Sequence, residues 1–324
     1  MTTLELELEK VESLYINRKE LKKPAYSLYR IDGGESRWYY REDKDRYFPS
    51  VTSVIQATCP TPPALIQWMK SLGDKADLVR DQKAEYGTMM HVIFSKRLID
   101  GTLDVSTIEP MLRLCAADNG WMWSELEWMK WAKQDVLAFE QFIRDHSIVP
   151  IAIEAVLTSE AGYAGAVDLL CTMRIGSGQS GKFLKKDQKL EPDPSGNGNS
   201  IQSLPGEEIT ALVDYKTGRK GFYVAHEIQL HMYKDMVAEN FGVKVDRVFN
   251  WSPSDWRTAP TYKLKDQTDS KHAAKIPHLL QIFAINGRTG PSDSLILKGT
   301  IDPEKPLSDF YGFEGMRERI KKGL

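Results

Sequence analysis

Apolar positions change their interval twice along this chain. Between Pro63 and His146 they recur every three or four residues, from Val149 they come in short dense runs, and after Tyr223 the helical interval returns. Pro63–Leu72 places Leu65, Trp68, Met69 and Leu72 on one stripe, which predicts a helix. Residues 74–100 predict a long helix with Ala76, Val79, Met90, Ile93 and Phe94 facing inward, although Gly87 and Thr88 in its middle cost helix propensity. Trp121–His146 predicts a third helix with Trp128, Trp131, Val136, Phe139 and Phe142 on its apolar face. That aromatic face reads as core and not as a base-stacking surface, because burial is the commoner fate of a helical apolar stripe. Val149–Thr158 and Ala164–Met173, joined through Gly162-Tyr163, predict a β-hairpin, and Ala211–Val213 opens a further strand. Tyr223–Asn240 predicts a helix with Ile228, Met232 and Met236 in line. Val243–Trp251 and Thr261–Leu264 predict strands, and Lys271–Ile285 a helix burying Leu279, Leu280, Phe283 and Ile285.

The remaining segments are set by punctuation. Residues 1–22 read as a charged helical lead-in. From Tyr26 to Phe48 aromatic residues flank the turn Asp32-Gly33-Gly34, which predicts a hairpin. Ser50 or Thr52 caps a short helix that Pro60, Pro62 and Pro63 end. Residues 175–208 lose all periodicity to Gly, Ser, Lys, Asp, Pro and Asn and read as a solvated or disordered insertion between two strands. The run GSGQSGK at 176–182 nearly completes a phosphate-binding loop. Phe183, however, stands where Ser or Thr must ligate magnesium, so we reject it, and no nucleotide cofactor is expected. Lys182, Lys185, Lys186 and Lys189 read as a solvated charge run. The division expected is a lead-in and hairpin extension over 1–50, a core over 51–286, and a polar tail over 287–324 that ends in basic Arg317–Lys322. There are no internal repeats.

Composition narrows the class. With 324 residues, 41% hydrophobic and 27% charged, the chain can bury a sizeable core, and a net charge of -2 excludes a histone-like polycation but not a local basic groove. Three widely spaced cysteines (Cys59, Cys115, Cys171) suit neither a disulfide framework nor a closed zinc site. The acidic start lacks the pattern of a signal peptide, and no apolar run approaches a membrane span, so a cytoplasmic protein without membrane contact is expected.

Candidate chemistry sits on the apolar runs. Glu154 and Asp168 each bring one carboxylate into a strand of the hairpin, and a lone buried acid is costly unless paired or metal-bound. Asp214 and Lys216 are two apart and share a strand face. By itself that pair reads as an ordinary salt bridge, and His91 by itself as a core histidine. Gln229 and Tyr233, four apart, lie together on the following helix. Two or more acids arriving from successive strands beside a lysine can hold a divalent metal, orient water and neutralise phosphate charge.

These pieces resemble the PD-(D/E)xK nuclease superfamily, and within it the RecB-like exonucleases. The matching segments are YGTMMH (86–91), IEAVL (153–157), GYAGAVDLL (162–170), VDYKTG (213–218) and QLHMY (229–233). PSVTSVI (49–55) followed by LIQWM (65–69) is similar to the phage and mitochondrial members. The resemblance implies an α/β restriction-endonuclease-like core, a mixed central sheet flanked by helices, with the N-terminal hairpin as an extension. It implies a metal-dependent DNA exonuclease of replication, recombination or repair that takes Mg²⁺ or Mn²⁺, two ions in all. His91, Asp168, Asp214 and the Tyr215 carbonyl would ligate metal and Glu154 would be auxiliary. Lys216 would position the attacking water, while Gln229, Tyr233 and Thr217 would support the site and the nucleic acid. DNA that is single-stranded or has a free end would be the partner, with a helicase or recombination protein beside it. With no cysteine after Cys171, the iron–sulfur cluster of some relatives is not expected. The alternative is an idle nuclease fold that only binds nucleic acid; its hallmark would be a lost acid or lysine, and none is lost.

Overall fold

The computed structural model describes residues 10–17, 24–33, 36–118, 125–176, 206–218, 222–254 and 260–287, with the short pieces 4–5, 21, 290 and 300–301. The chain forms a mixed six-stranded sheet with helices on both faces and a separate four-stranded sheet.

The large sheet is built from β3 (Tyr15–Ile16), β7 (Val149–Ser159), β8 (Tyr163–Gly176), β9 (Gly206–Tyr215), β10 (Arg247–Pro253) and β11 (Tyr262–Asp266), in the order β11-β10-β9-β8-β7-β3. Only β9 and β10 run parallel; the other neighbours are antiparallel. A parallel pair needs a crossover, and α6 (Val224–Phe241) supplies it. The predicted hairpin is present as β7 and β8, with Gly162 at φ 99° in the turn.

The small sheet has the order β2-β4-β5-β6, from β2 (Lys10–Val11), β4 (Leu28–Gly33), β5 (Ser36–Arg41) and β6 (Arg46–Pro49), all antiparallel. It contains the predicted hairpin, β4 and β5, although positions 34–35 of its turn lie outside the described residues. Ser50 then bridges to Ala164 and caps α1 (Val51–Thr58), its side-chain oxygen accepting from the Ser53 N–H. A last pair, β1 (Leu4–Glu5) with β12 (Thr300–Ile301), is antiparallel. The helical lead-in expected for residues 1–22 is therefore corrected: its described parts hold three short strands and no helix. Tyr15 and Ile16 pair with Ile153 and Ala152 at the edge of the large sheet, and that pairing overrides a weak local helix preference.

Helices α2 (Pro63–Leu72), α3 (Ala76–Asp100), α4 (Ile108–Asp118) and α5 (Glu125–His146) follow in order, and α7 (Ile276–Ile285) ends the core. Under α3, α4 and α5 lies one core, where Phe94 stacks on Phe139 at 4.1 Å and Tyr215 and Trp251 meet both rings edge-on. On the other face α1, α6, α7 and the small sheet enclose the second core, around Trp38, Val54, Met232 and Phe283.

Two expectations about burial change, and one about strand length. Val79 is not inward, because α3 buries nothing between Ala76 and Tyr86, and α2, packed on that stretch of α3, buries no residue at all. Ile285, the last residue of α7, is 82% exposed, while Ile276, Leu279 and Phe283 of the same helix are buried. Residues 175–176 and 206–208, expected in the insertion, extend β8 and β9 as a paired ladder down to Gly176 opposite Gly206. The rest of the insertion, the lysine run, Trp121, Trp123 and most of the tail lie outside the described residues. No helix among the described residues is long and apolar enough to cross a membrane.

Candidate active site

Three consecutive strands and two helices deliver the polar residues to one groove. On β7 and β8 the register pairs Ile153 with Leu169 and Ala155 with Val167, which sets Glu154 opposite Asp168. Ile153 and Leu169 belong to the core under α3 and α5, but Ala155 and Val167 belong to the other core, so both strands lose strict alternation at this pair. Glu154 adopts φ 47°, a left-handed conformation that costs a non-glycine residue about 1 kcal/mol or more. The strain aims a half-buried carboxylate beside that of Asp168.

His91 comes from α3 to meet them. Its Nδ1 stands 3.6 Å from Glu154 Oε1 and 3.6 Å from Asp168 Oδ1, while Nε2 is 3.3 Å from the Tyr215 carbonyl oxygen. The second oxygen of Asp168 accepts the Tyr215 N–H at 2.8 Å, tying β8 to the end of β9. Burial works against a charge on His91, but Asp168 and Glu154 outweigh it and push the imidazole up to about 9. Burial likewise pushes the Asp168 carboxyl up, opposed chiefly by His91.

On β9 the alternation read from sequence holds. Val213 and Tyr215 enter the core under α3 and α5, and Asp214 turns to the opposite face with Lys216. Lys216 Nζ donates to Asp214 Oδ1 at 2.9 Å, lies 2.8 Å from Oδ2, and donates to Gln229 Oε1 at 3.1 Å. Gln229 in turn donates to the Tyr233 hydroxyl at 2.9 Å. Asp214 is almost wholly buried, which pushes its carboxyl up against the pull of Lys216. Its other support comes from Asn250, its partner across the parallel β9–β10 pair, whose Nδ2 donates to Oδ2 at 2.9 Å. Gln267 steadies Asn250 at 3.3 Å.

Two glycines make the convergence possible. A Cβ on Gly165 would stand 2.9 Å from the Tyr233 ring, so only glycine lets that ring lie against β8. A Cβ on Gly87 would stand 3.2 Å from Thr217 Oγ1, which explains a glycine in mid-helix one turn before His91. Thr217 and His226 also line the groove. His226 Nδ1 accepts the Tyr223 N–H at 3.3 Å, and burial with the nearby Lys216 charge pushes the imidazole down to about 4.

The structure thus brings together every residue singled out from sequence, but in two groups. His91, Glu154 and Asp168 form one group, with the Tyr215 carbonyl beside it. Asp214, Lys216, Gln229 and Tyr233 form the other. The first group's ligand atoms all lie within 4.8 Å of one another. Ligands about 2.1–2.2 Å from one ion stand up to about 4.4 Å apart, so these residues fit a divalent cation after a small closure. Glu154, expected to be auxiliary, is in the converging set, whereas Asp214 is engaged by Lys216 and Asn250.

Sequence reasoning missed Asn250 and the residues further along the groove. Asn250 had a signal: a carboxamide inside the apolar run of β10 asks for a partner. Trp131 had none, because its helical stripe looked uniform. Trp128 is 6% exposed in the core, but Trp131, one turn away, lines a cavity of about 1320 Å³ that also holds the acids. Searched against known proteins, the chain matches no family model and no curated protein.

Proposed function

We propose that the chain is a metal-dependent DNA nuclease with a restriction-endonuclease-like core of the PD-(D/E)xK superfamily, RecB-like, acting from a free end or on a single strand. The observation that carries this reading is the convergence of His91, Glu154 and Asp168, from a helix and a hairpin, beside the Lys216–Asp214 pair of the next strand. Packing alone does not account for two buried carboxylates and a half-buried one in adjacent strands of one groove, because each carries a desolvation cost. A cation in their midst repays it.

His91, Glu154, Asp168 and the Tyr215 carbonyl would hold the ion, and Asp214, whose carboxyl feels the Asp168 charge, would join a second one. Bound there, Mg²⁺ or Mn²⁺ supplies Lewis acidity to the scissile phosphate and to the water that attacks it. Hydrolysis forms one P–O bond from water and breaks the P–O bond to the neighbouring sugar, whose oxygen takes up a proton. In net terms the proton comes from the attacking water, and Lys216 is the cationic hydrogen-bond donor beside that water. Asp214 and Gln229 fix its ammonium at the groove, where it orients the incoming water and offsets the charge gathering on the phosphorus oxygens. Gln229 and Tyr233 hold that geometry from α6. Gly87 lets Thr217 lie close against α3, which keeps that residue at the edge of the groove.

The test is cleavage of linear and circular, single- and double-stranded DNA with Mg²⁺, Mn²⁺ or EDTA. Metal-dependent loss of linear DNA with sparing of circles is expected, and Asp168→Asn and Lys216→Ala should each lower the rate at least a hundredfold. No cleavage with either metal would overturn the enzyme reading. Cleavage undiminished in both variants would overturn the site.

A further inference from the structure

The groove does not stop at the acids. On α3, Lys83, Gly87 and His91 are four apart and all line it, so Lys83 lies about 12 Å along the helix from His91. Trp68 of α2 and Trp131 of α5 flank that lysine, each ring centroid 5.9 Å from Nζ. Both rings are half-buried and both line the cavity. Trp68 belongs to a helix that buries no residue, so core packing does not explain a tryptophan there. Between Lys83 and His91 the wall is Ala84, Glu85, Gly87 and Thr88, so Lys83 is the positive charge on this stretch of α3.

Chemistry decides between strand types: bases paired in a duplex are already stacked on each other and cannot lie on Trp68 or Trp131, whereas an unpaired base can. An unstacked strand advances about 6 Å per nucleotide, so 12 Å is two nucleotides. Aromatic faces beside a cation, reached by a narrow groove, are what unpaired bases stack on without regard to sequence.

We infer that Trp68, Lys83 and Trp131 form a nucleobase-stacking subsite that holds single-stranded DNA two nucleotides from the bond being cut. The position of that bond rests on the nuclease reading; the subsite itself does not. A base leaves its paired state to enter, so duplex DNA reaches the acids only through a frayed or overhanging end. Lys83 sets a positive charge beside the phosphate of the stacked nucleotide.

Equilibrium binding of the full chain in EDTA, where no cleavage occurs, tests this. The probes are a dT oligonucleotide carrying one 2-aminopurine and a blunt hairpin duplex. The single strand should bind at least tenfold more tightly than the duplex, with 2-aminopurine fluorescence quenched on stacking. Trp68→Ala and Lys83→Met should each weaken single-strand binding about tenfold and, for Trp68→Ala, relieve the quench. Trp68 lies in no core, so its variant is expected to fold even if Trp131→Ala, which removes an edge contact to Tyr86, does not. An abasic site moved along the oligonucleotide should cost the same factor at one position in the wild type and nothing more in Trp68→Ala. Unchanged single-strand affinity in both variants, or duplex bound as tightly as single strand, overturns the subsite. Stacking without metal-dependent cleavage would keep the subsite and sink the nuclease reading; cleavage with unchanged binding in the variants would do the reverse.

Discussion

Glu154 holds a conformation that its neighbours in β7 do not need. Its φ of 47° is unfavourable for any residue with a Cβ, and glycine takes it freely. Glu154→Gly should therefore stabilise the metal-free protein by about 1 kcal/mol in urea titrations while removing a carboxylate from the groove. A loss of stability instead would mean that the contact with His91 outweighs the backbone strain. His91 gives the pH dependence. Its folded value is raised to about 9 above the ordinary 6.5, so its stabilisation of the metal-free protein is complete below pH 6.5 and fades as pH rises through about 9. A metal ion must displace that proton. Mn²⁺ binding at pH 7 is thus expected to release about one proton per ion and to tighten as pH approaches 9, read by calorimetry in buffers of different ionisation enthalpy. His91→Ala should abolish the proton release.

At the scale of elements, the contact between β8 and α6 is as important as any ligand. Gly165 faces Tyr233, which receives the Gln229 carboxamide, which in turn holds Lys216. Gly165→Ala should cost about 1–3 kcal/mol, because the ring has Val51 and Met236 around it and little room to yield. By moving Tyr233 it should also slow cleavage without touching any acid. Denaturation and rate measurements on the one variant check both, and a rate left at the wild-type value would separate α6 from the chemistry. The elements were mostly legible in the sequence: β7, β8, β9, α6 and α7 follow from their intervals. Val79, near the start of α3, was expected inward and is not, and the apolar stripe read on α2 buries no residue. Their apolar residues meet each other and the groove, and periodicity reports an apolar face without saying what covers it.

At the scale of the molecule, the acids couple folding to metal. Asp168 and Asp214 are both buried and both pushed up, so their ionised forms oppose folding at neutral pH until a cation or His91 and Lys216 offset them. Added Mn²⁺ should raise the melting temperature by several degrees, as binding to the folded state alone requires, and EDTA should reverse it. Asp168→Asn should lose most of that shift and melt no lower than the metal-free wild type.

The sequence by itself determined that Asp214 and Lys216 share one face and that Gln229 and Tyr233 share another, because strand and helix periods are local and fixed by the backbone. It also placed one acid on each strand of the β7–β8 hairpin, whose register follows from its turn. Only the tertiary structure decided that Glu154, and not Asp214, stands with His91 and Asp168. That choice depends on a left-handed residue in mid-strand and on Asn250, which arrives 36 residues later on a neighbouring strand. It likewise separated Trp131 from Trp128. Both meet Tyr86 edge-on, but Trp128 is buried in the core, whereas Trp131 packs on that core with another part of its surface in the groove.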